Sequence, residues 1–593
     1  MEKNNPANFF NAVLAQSASE SKTLKSKLIQ LGLARLLVFL LIFVPFFFMD
    51  WTTALNIGWA IFFLIIFLIL VARYTDTRIK KNRADLKIKL CERELAGFDG
   101  DFSAFGNGLR FNNAQHTFSY DMDLFGDRSF FQSINRTGTI ESEAMLAAIL
   151  SSNNIDGIPE KQKVIQELVS KPEWCLEFRT HLAMQDEKVD QLQVVESMSK
   201  HTKLLPSFGG FLAISFSVIS IAVLGLVVAD VVSWQVLLLP FFAGLLITGL
   251  FVQKVGKISL KSSLLAANFR HLASSLKLIE SEKWSSENLT KELNSIGGAH
   301  VQHSDLLLEF SKILAALDQR NNIFFALMAN GFFLWDLRHG SRAEKWILTN
   351  AEKIESIFRL VNSIDAQISF ATYAFTRNDF TYPLIDQDSK QLILAEAISH
   401  PLLRAEKRVS NNLSIDRENF FVITGANMAG KSTFLRTVGV SVIMANSGLP
   451  VCAKSFTYSP VKLISSMRSS DSLINDESYF FAELKRLKFI VDQLDTQKYL
   501  IILDEILKGT NSKDKEEGSK KFLQRLLRTG SSGLIATHDL SLCDLATDNS
   551  KIRNFYFDAE IVNDELHFDY VFKNGICQNM NASFLLRKMK IVD

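Results

Sequence analysis

The sequence predicts a mixed fold class: multi-pass α-helical membrane segments, a helical core or lever region around them, and an α/β domain at the C-terminal end. Three observations predict it. Two pairs of long apolar runs interrupt the first half of the chain. Near residue 420 a short apolar stretch runs directly into a glycine-bounded loop followed by a helical pattern. Further on, two more apolar stretches end in Asp504-Glu505 and in His538-Asp539.

At 593 residues the chain is too long for one ordinary domain. The formal net charge of only +2 excludes a global basic field of the kind that advertises nucleic acid, although a local basic face stays open. The 48% hydrophobic content, with 48 phenylalanines, is high for a soluble protein and points to lipid contact. Cys91, Cys175, Cys452, Cys543 and Cys577 show no C-x-x-C pairing, and their odd number argues against a disulfide framework. They read as reduced packing thiols.

The first apolar pair runs from Leu36 to Met49 and from Ala54 to Ala72, around the turn Asp50-Trp51-Thr52-Thr53. Starting at Leu31, with Arg35 snorkelling to the interface, each run approaches the ~20 residues a bilayer crossing needs. No small-residue cleavage site precedes the second run, which argues against a signal peptide. The second pair runs from Phe208 to Ala229 and from Val232 to Val252, parted only by Asp230 and its neighbours. Lysines and arginines flank all four runs on one side: Lys22, Lys25, Lys27 and Arg35; Arg73, Arg78, Lys80, Lys81 and Arg83; Lys200 and Lys203; Lys254, Lys257 and Lys261. The two turns carry only acidic or neutral residues, so the positive-inside rule places everything else in the cytoplasm. The expected location is the cytoplasmic (inner) membrane. A 13-residue apolar run, Ile323 to Trp335, is too short to be a fifth span and reads as a core helix.

The C-terminal domain carries the chemistry. Asn419 to Thr424 reads as a buried strand, and it enters Gly425-Ala-Asn-Met-Ala-Gly430-Lys431-Ser432-Thr433 ahead of a helix. Strand, glycine loop and helix in that order are what a phosphate-binding P-loop requires. Gly425 and Gly430 allow backbone turns that aim successive amides at phosphate oxygens, and the helix directs its positive end at the same anion. Lys431 supplies a charge for the β and γ phosphates of ATP, and Ser432 a hydroxyl for Mg²⁺. Tyr499 to Leu503 forms a second strand whose end, Asp504-Glu505, places Asp504 on the metal and Glu505 as the base that polarises water. His538, at the tip of the strand Gly533 to Thr537, is placed to sense the γ phosphate. For each of these residues the bland alternative is a turn or a structural side chain; their order along the chain favours the functional reading.

The string Ile423-Thr-Gly-Ala-Asn-Met-Ala-Gly-Lys-Ser-Thr-Phe-Leu-Arg436 closely resembles the Walker A segment of the MutS family of DNA mismatch repair proteins, with alanine at 426 and 429 where that family usually has proline and glycine. The Asn427-Met428 pair is a distinctive mark. Leu503 to Ser512 resembles the family's Walker B segment and the loop after it, and Ala536-Thr-His538 its histidine switch. The resemblance implies an ATPase domain of the ABC/MutS type, in which Gly425, Asn427, Gly430, Lys431, Ser432 and Thr433 hold ATP, with Mg²⁺ on Ser432 and Asp504. Ser478-Tyr-Phe-Phe-Ala-Glu483 resembles the segment whose serine reaches the partner's nucleotide, which implies a homodimer through the ATPase domains with Ser478 acting in trans. His400-Pro401 and the tail from Asn579 to Ile591 also fit, and Asp123-Leu-Phe-Gly126 with Ser129 to Thr137 resembles the start of the family's helical core, continued more weakly from Ile158 to Leu182.

The expected layout is a cytoplasmic N-terminal segment at 1–30, a transmembrane hairpin at 31–72, the first part of a helical core at 73–207, a second hairpin at 208–252, the lever at 253–398 and the ATPase domain at 399–593. Only the first hairpin and a short charged stretch stand where the family's mismatch-reading domain normally lies, and the second hairpin interrupts the core about where MutS inserts its DNA clamp. Phe481-Ala-Glu483 matches an F-x-E pattern superficially but lies within the ATPase domain. The expected function is a membrane-anchored ATPase that moves its helical arms against the bilayer or an unidentified membrane partner. The alternatives are a membrane-tethered protein that binds mismatched or branched DNA, and a slow regulatory scaffold.

Overall fold

A computed structural model describes residues 5–48, 53–185, 190–258, 262–296, 302–468, 479–562 and 565–578. Two compact units are formed, one from Met1–Leu95, Gly138–Ser142 and Glu173–Asp365, the other from Ala96–Thr137, Glu143–Pro172 and Ala366–Asp593.

The first unit is helical. Helices α1 (Pro6–Phe48) and α2 (Thr53–Phe98) extend far beyond the apolar runs that predict them. Their polar ends pair: Ser21 donates to Asp85 at 2.5 Å, and deeper in the unit Arg179 meets the buried Glu94 at 2.8 Å. The stretch expected as a separate segment at 1–30 is thus mostly a continuation of the first apolar helix. Helices α3 (Gly209–Val228) and α4 (Leu238–Ile258) form the second pair, joined through a short turn at Trp234–Leu237. By length and composition these four helices are able to cross a membrane, and their outer faces expose Leu36, Phe62, Phe211 and Leu246.

Then α5 (His303–Asp318), α6 (Ile323–Phe333) and α7 (Trp335–Thr376) follow. Here the structure corrects the sequence reading. The apolar run at Ile323 is helical and short, as expected, but it is no core helix: only Ala329, Asn330 and Gly331 are buried, while Phe324 is 80% and Met328 60% exposed. An unbroken apolar run has no polar face to say which side is buried, so composition alone cannot distinguish the two cases.

The second unit holds the sheets. In chain order the strands are β1 (Leu384–Ile385), β2 (Gln391–Ile398), β3 (Asn411–Asp416), β4 (Phe420–Gly425), β5 (Ser455–Tyr458) and β6 (Lys462–Ser466). They continue with β7 (Tyr499–Asp504), β8 (Ser532–Ala536), β9 (Ile552–Phe557), β10 (Ala559–Val562), β11 (Glu565–Phe568) and β12 (Lys573–Asn574). A six-stranded sheet has the order β12-β9-β4-β8-β7-β6, parallel except for β12. Strands β4 and β7 are dominated by Ile, Leu, Val and Phe, as expected of parallel strands buried on both faces. A second sheet has the order β1-β5-β2-β3, and its strands β1 and β2 lie ahead of residue 399, where the sequence placed the domain edge. The Asp123–Gly126 stretch also belongs to this unit: Asp121 accepts from the Ser465 hydroxyl at 2.7 Å, and Asp123 pairs with Arg468 at 2.5 Å.

Candidate functional site

In a parallel sheet, ligands gather at the carboxyl ends of the strands. Strands β4, β7 and β8 end side by side there, with the Glu505 amide donating to Ala536 O at 2.8 Å and the Thr537 amide to Ile423 O at 2.9 Å. That register sets the loop after β4 beside Asp504, Glu505 and His538. Around them lies a cleft of about 670 Å³, walled also by Asn427, Thr433, His400 and Tyr570.

The loop's shape depends on its glycines. Gly425 has φ +146°, and a Cβ there would stand 2.5 Å from Phe557 O; Gly430 has φ +103°, and a Cβ there would stand 3.0 Å from the Tyr570 ring. Both conformations are costly for any residue with a side chain. Helix α8 (Lys431–Asn446) starts immediately after Gly430, so its unpaired first-turn amides face the cleft.

Lys431 is buried and folded back on the loop, donating from Nζ to Gly425 O at 2.7 Å and Ala426 O at 2.9 Å, with His538 Nε2 at 3.4 Å. Burial lowers its pKa, opposed by the nearby Asp504 and Glu505 carboxylates. Ser432 donates to Asp504 Oδ2 at 2.5 Å. Glu505 has φ +56°, a left-handed backbone that is strained for a side chain of this size. Burial by itself would raise its carboxyl, but Lys515 at 3.3 Å and Lys508 at 3.8 Å outweigh that and hold it below the ordinary range. Partial desolvation and the Lys431 ammonium likewise lower His538.

All the residues expected at the site converge here except Ser478, which lies outside the described residues, as does the Asn579 to Ile591 tail. Three residues escaped the sequence reading. Lys508 and Lys515 neutralise Glu505, yet Lys515 stands in α10 (Ser512–Leu527), a mixed-charge helix with the pattern of a solvated face. Buried Glu483, from α9 (Tyr479–Leu494), accepts from the amides of Leu507 at 2.6 Å and Lys508 at 3.0 Å and so fixes the loop that follows Glu505. Its signal was present in the Ser478 segment, where it passed as a neighbour of the serine.

Among the described residues no cluster of three His, Cys, Asp or Glu side chains is available to hold a metal. Ser432 with Asp504 supplies one hydroxyl and one carboxylate, which suits Mg²⁺, an ion that takes its remaining oxygens from phosphates and water.

Fold and loop together define an α/β domain with a glycine-bounded loop at the carboxyl ends of the strands of a parallel sheet. Residues 421–588 match the family described as MutS domain V. The chain is 32% identical over 231 residues to the DNA mismatch repair protein MutS of Methanococcoides burtonii, covering 37% of this chain and 26% of that protein. It is 29% identical over 244 residues to MutS protein homolog 4 of Mus musculus, covering 39% of this chain and 25% of that protein. DNA mismatch repair protein spellchecker 1 of Drosophila melanogaster is 30% identical over 239 residues, which are 39% of this chain and 26% of the relative. The chain thus spans about a quarter of the length of the relatives it matches.

Proposed function

We propose that this chain is a membrane-anchored, Mg²⁺-dependent ATPase that works as a homodimer through its sheet-bearing unit and uses the nucleotide cycle to move its helical arms. The observation that carries this reading is the convergence of Lys431, Ser432, Asp504, Glu505 and His538 on one cleft at the ends of three parallel strands. Arriving phosphates exchange the Lys431 ammonium from the two loop carbonyls to their own oxygens, which costs little because the lysine is already dehydrated and in place. Ser432 and Asp504 hold Mg²⁺, which neutralises charge on the phosphates when bound. Glu505, kept ionised by Lys515 and Lys508, orients the attacking water and takes its proton, while His538 lies within reach of the terminal phosphate. Four exposed apolar helices of bilayer length support the anchoring in the cytoplasmic membrane.

A second reading is a DNA-binding protein of mismatch repair or recombination tethered at a membrane, and the relatives named as DNA mismatch repair proteins support its repair part. ATP hydrolysis by the full chain in lipid nanodiscs, alone and with homoduplex, mismatched and branched DNA at two salt concentrations, separates the two. Stimulation by DNA that weakens with salt establishes the second reading. Turnover indifferent to every DNA supports the first, and no turnover with or without DNA defeats the ATPase assignment itself.

A further inference from the structure

We infer that α6 is a re-entrant membrane helix: it enters one leaflet between α3 and α4, reaches about mid-depth, and turns back into α7, with its exposed face covered by lipid acyl chains. This rests on the reading of α3 and α4 as membrane spans.

The position of α6 is the first argument. Helices α3 and α4 make few close approaches of their own beyond the turn that joins them, whereas α6 packs against both. A Cβ on Gly244 would stand 2.1 Å from Gly331 O, so the backbones of α4 and α6 touch. Phe241 of α4 lies against Phe332 with ring centroids 5.4 Å apart. On the other side the Ser217 hydroxyl of α3 is 3.2 Å from Phe333 O. Gly244 and Ser217 both lie inside the apolar stretches of their helices. If those stretches are in the hydrocarbon, the C-terminal end of α6 is at the same depth.

Length and surface agree. Eleven residues rise about 16 Å, roughly half the ~30 Å hydrocarbon thickness. The side turned away from α3 and α4 shows Ile323 at 69%, Phe324 at 80% and Met328 at 60% exposure, continuous in character with Leu246 and Leu250 on α4. The chain before it, Asp318-Gln-Arg-Asn-Asn322, is polar, and its Arg320 stands 3.4 Å from Asp336, just past the inner end of α6, so the charge carried there is paired.

Backbone polar groups at membrane depth must find partners within the protein, and here they do. Asn322 caps the start by accepting from the Phe324 and Phe325 amides. At the inner end Leu334 adopts a left-handed conformation that returns its amide to Ala329 O and Asn330 O. The Asp336 amide donates to Asn330 Oδ1 at 2.9 Å, and Trp335 Nε1 reaches Ala316 O at 2.8 Å.

The test places a nitroxide on single introduced cysteines in the full chain in lipid nanodiscs, at Phe324→Cys and Met328→Cys, with Leu246→Cys as the span control and Glu355→Cys as the water control. All five native cysteines are buried, and the labelled positions are exposed, so the label displaces no core. Collisions with molecular oxygen report lipid, and collisions with a water-soluble nickel chelate report solvent. The expected result is oxygen-dominated relaxation at both α6 positions, greater at Met328 than at Phe324, as at Leu246 and opposite to Glu355. Nickel-dominated relaxation at both α6 positions with Leu246 still in lipid overturns the inference and leaves the spans standing. Protection of α6 from both reagents also overturns it, because a protein surface then covers the helix. Nickel access at Leu246 as well removes the membrane reading and this inference together.

Discussion

The Ser432 hydroxyl donates to Asp504 Oδ2 across 2.5 Å and so ties the first turn of α8 to the end of β7. A hydroxyl and a carboxylate this close form half of a site for a small, oxygen-seeking ion. Ser432→Ala is therefore expected to reduce Mg²⁺-dependent ATP hydrolysis on the order of tenfold to a hundredfold while leaving Mg²⁺-free nucleotide binding nearly unchanged. Lys431→Ala, by contrast, removes nucleotide binding with and without the metal. Equilibrium binding of a fluorescent ATP analogue, with and without chelator, checks both.

Glu505→Gln keeps the shape of the side chain and loses the base. Hydrolysis should fall by about a hundredfold or more with ATP retained, holding the closed dimer. Single-turnover hydrolysis and size analysis in ATP read the two effects, and an unchanged rate would rule out Glu505 as the base.

Lys515 gives this site a pH signature. It helps to hold the Glu505 carboxyl below its ordinary value, so the acid limb of the rate profile should lie low in the wild type. Lys515→Ala removes that attraction and should move the limb to higher pH, lowering activity most on the acid side. A pH–rate profile of the two proteins measures the displacement.

Glu483 accepts from the amides of Leu507 and Lys508 in the loop after Glu505. Glu483→Ala leaves buried donors unmade, at a cost of about 1–3 kcal/mol. The expected outcome is a lower melting temperature together with slower hydrolysis, since Lys508 then no longer stands fixed beside Glu505. Glu483→Gln, which keeps an acceptor, should recover most of both.

In the helical unit, burial pushes the Asp365 carboxyl up to about 6, against the opposing Gly138 amide at 2.8 Å. The folded chain holds this proton more tightly than the unfolded chain does. Its contribution to stability is thus complete below the ordinary value of 3.8 and is lost as pH rises through about 6. The loss amounts to about 3 kcal/mol. Asp365→Asn should flatten the dependence of thermal stability between these two pH values.

Much of the sheet-bearing unit was legible because buried parallel strands are short apolar runs whose ends carry the polar groups. The expected strand at Asn419 to Thr424 is β4, Tyr499 to Leu503 is β7, and Gly533 to Thr537 is β8, each within a residue. The joining of Asp121 and Asp123 to the same unit was not legible, since their partners Ser465 and Arg468 are more than 340 residues away in sequence and carry no periodic signal. The partners of Glu505 were hidden for a similar reason: a lysine in a charged helix looks the same whether it faces water or a carboxylate. The outward face of α6 needed coordinates because Phe324 and Phe332 are alike in composition and differ only in what stands beside them.

Helix α7 follows α6 after the single residue Leu334 and then runs 42 residues without proline, about 63 Å. Such a rod has little slack at its joint and little give along its length. Tilting it by a few degrees displaces its far end by several ångströms. Amplification of this kind trades force for distance, so a small rotation at one end of α7 becomes a larger and weaker displacement at the other.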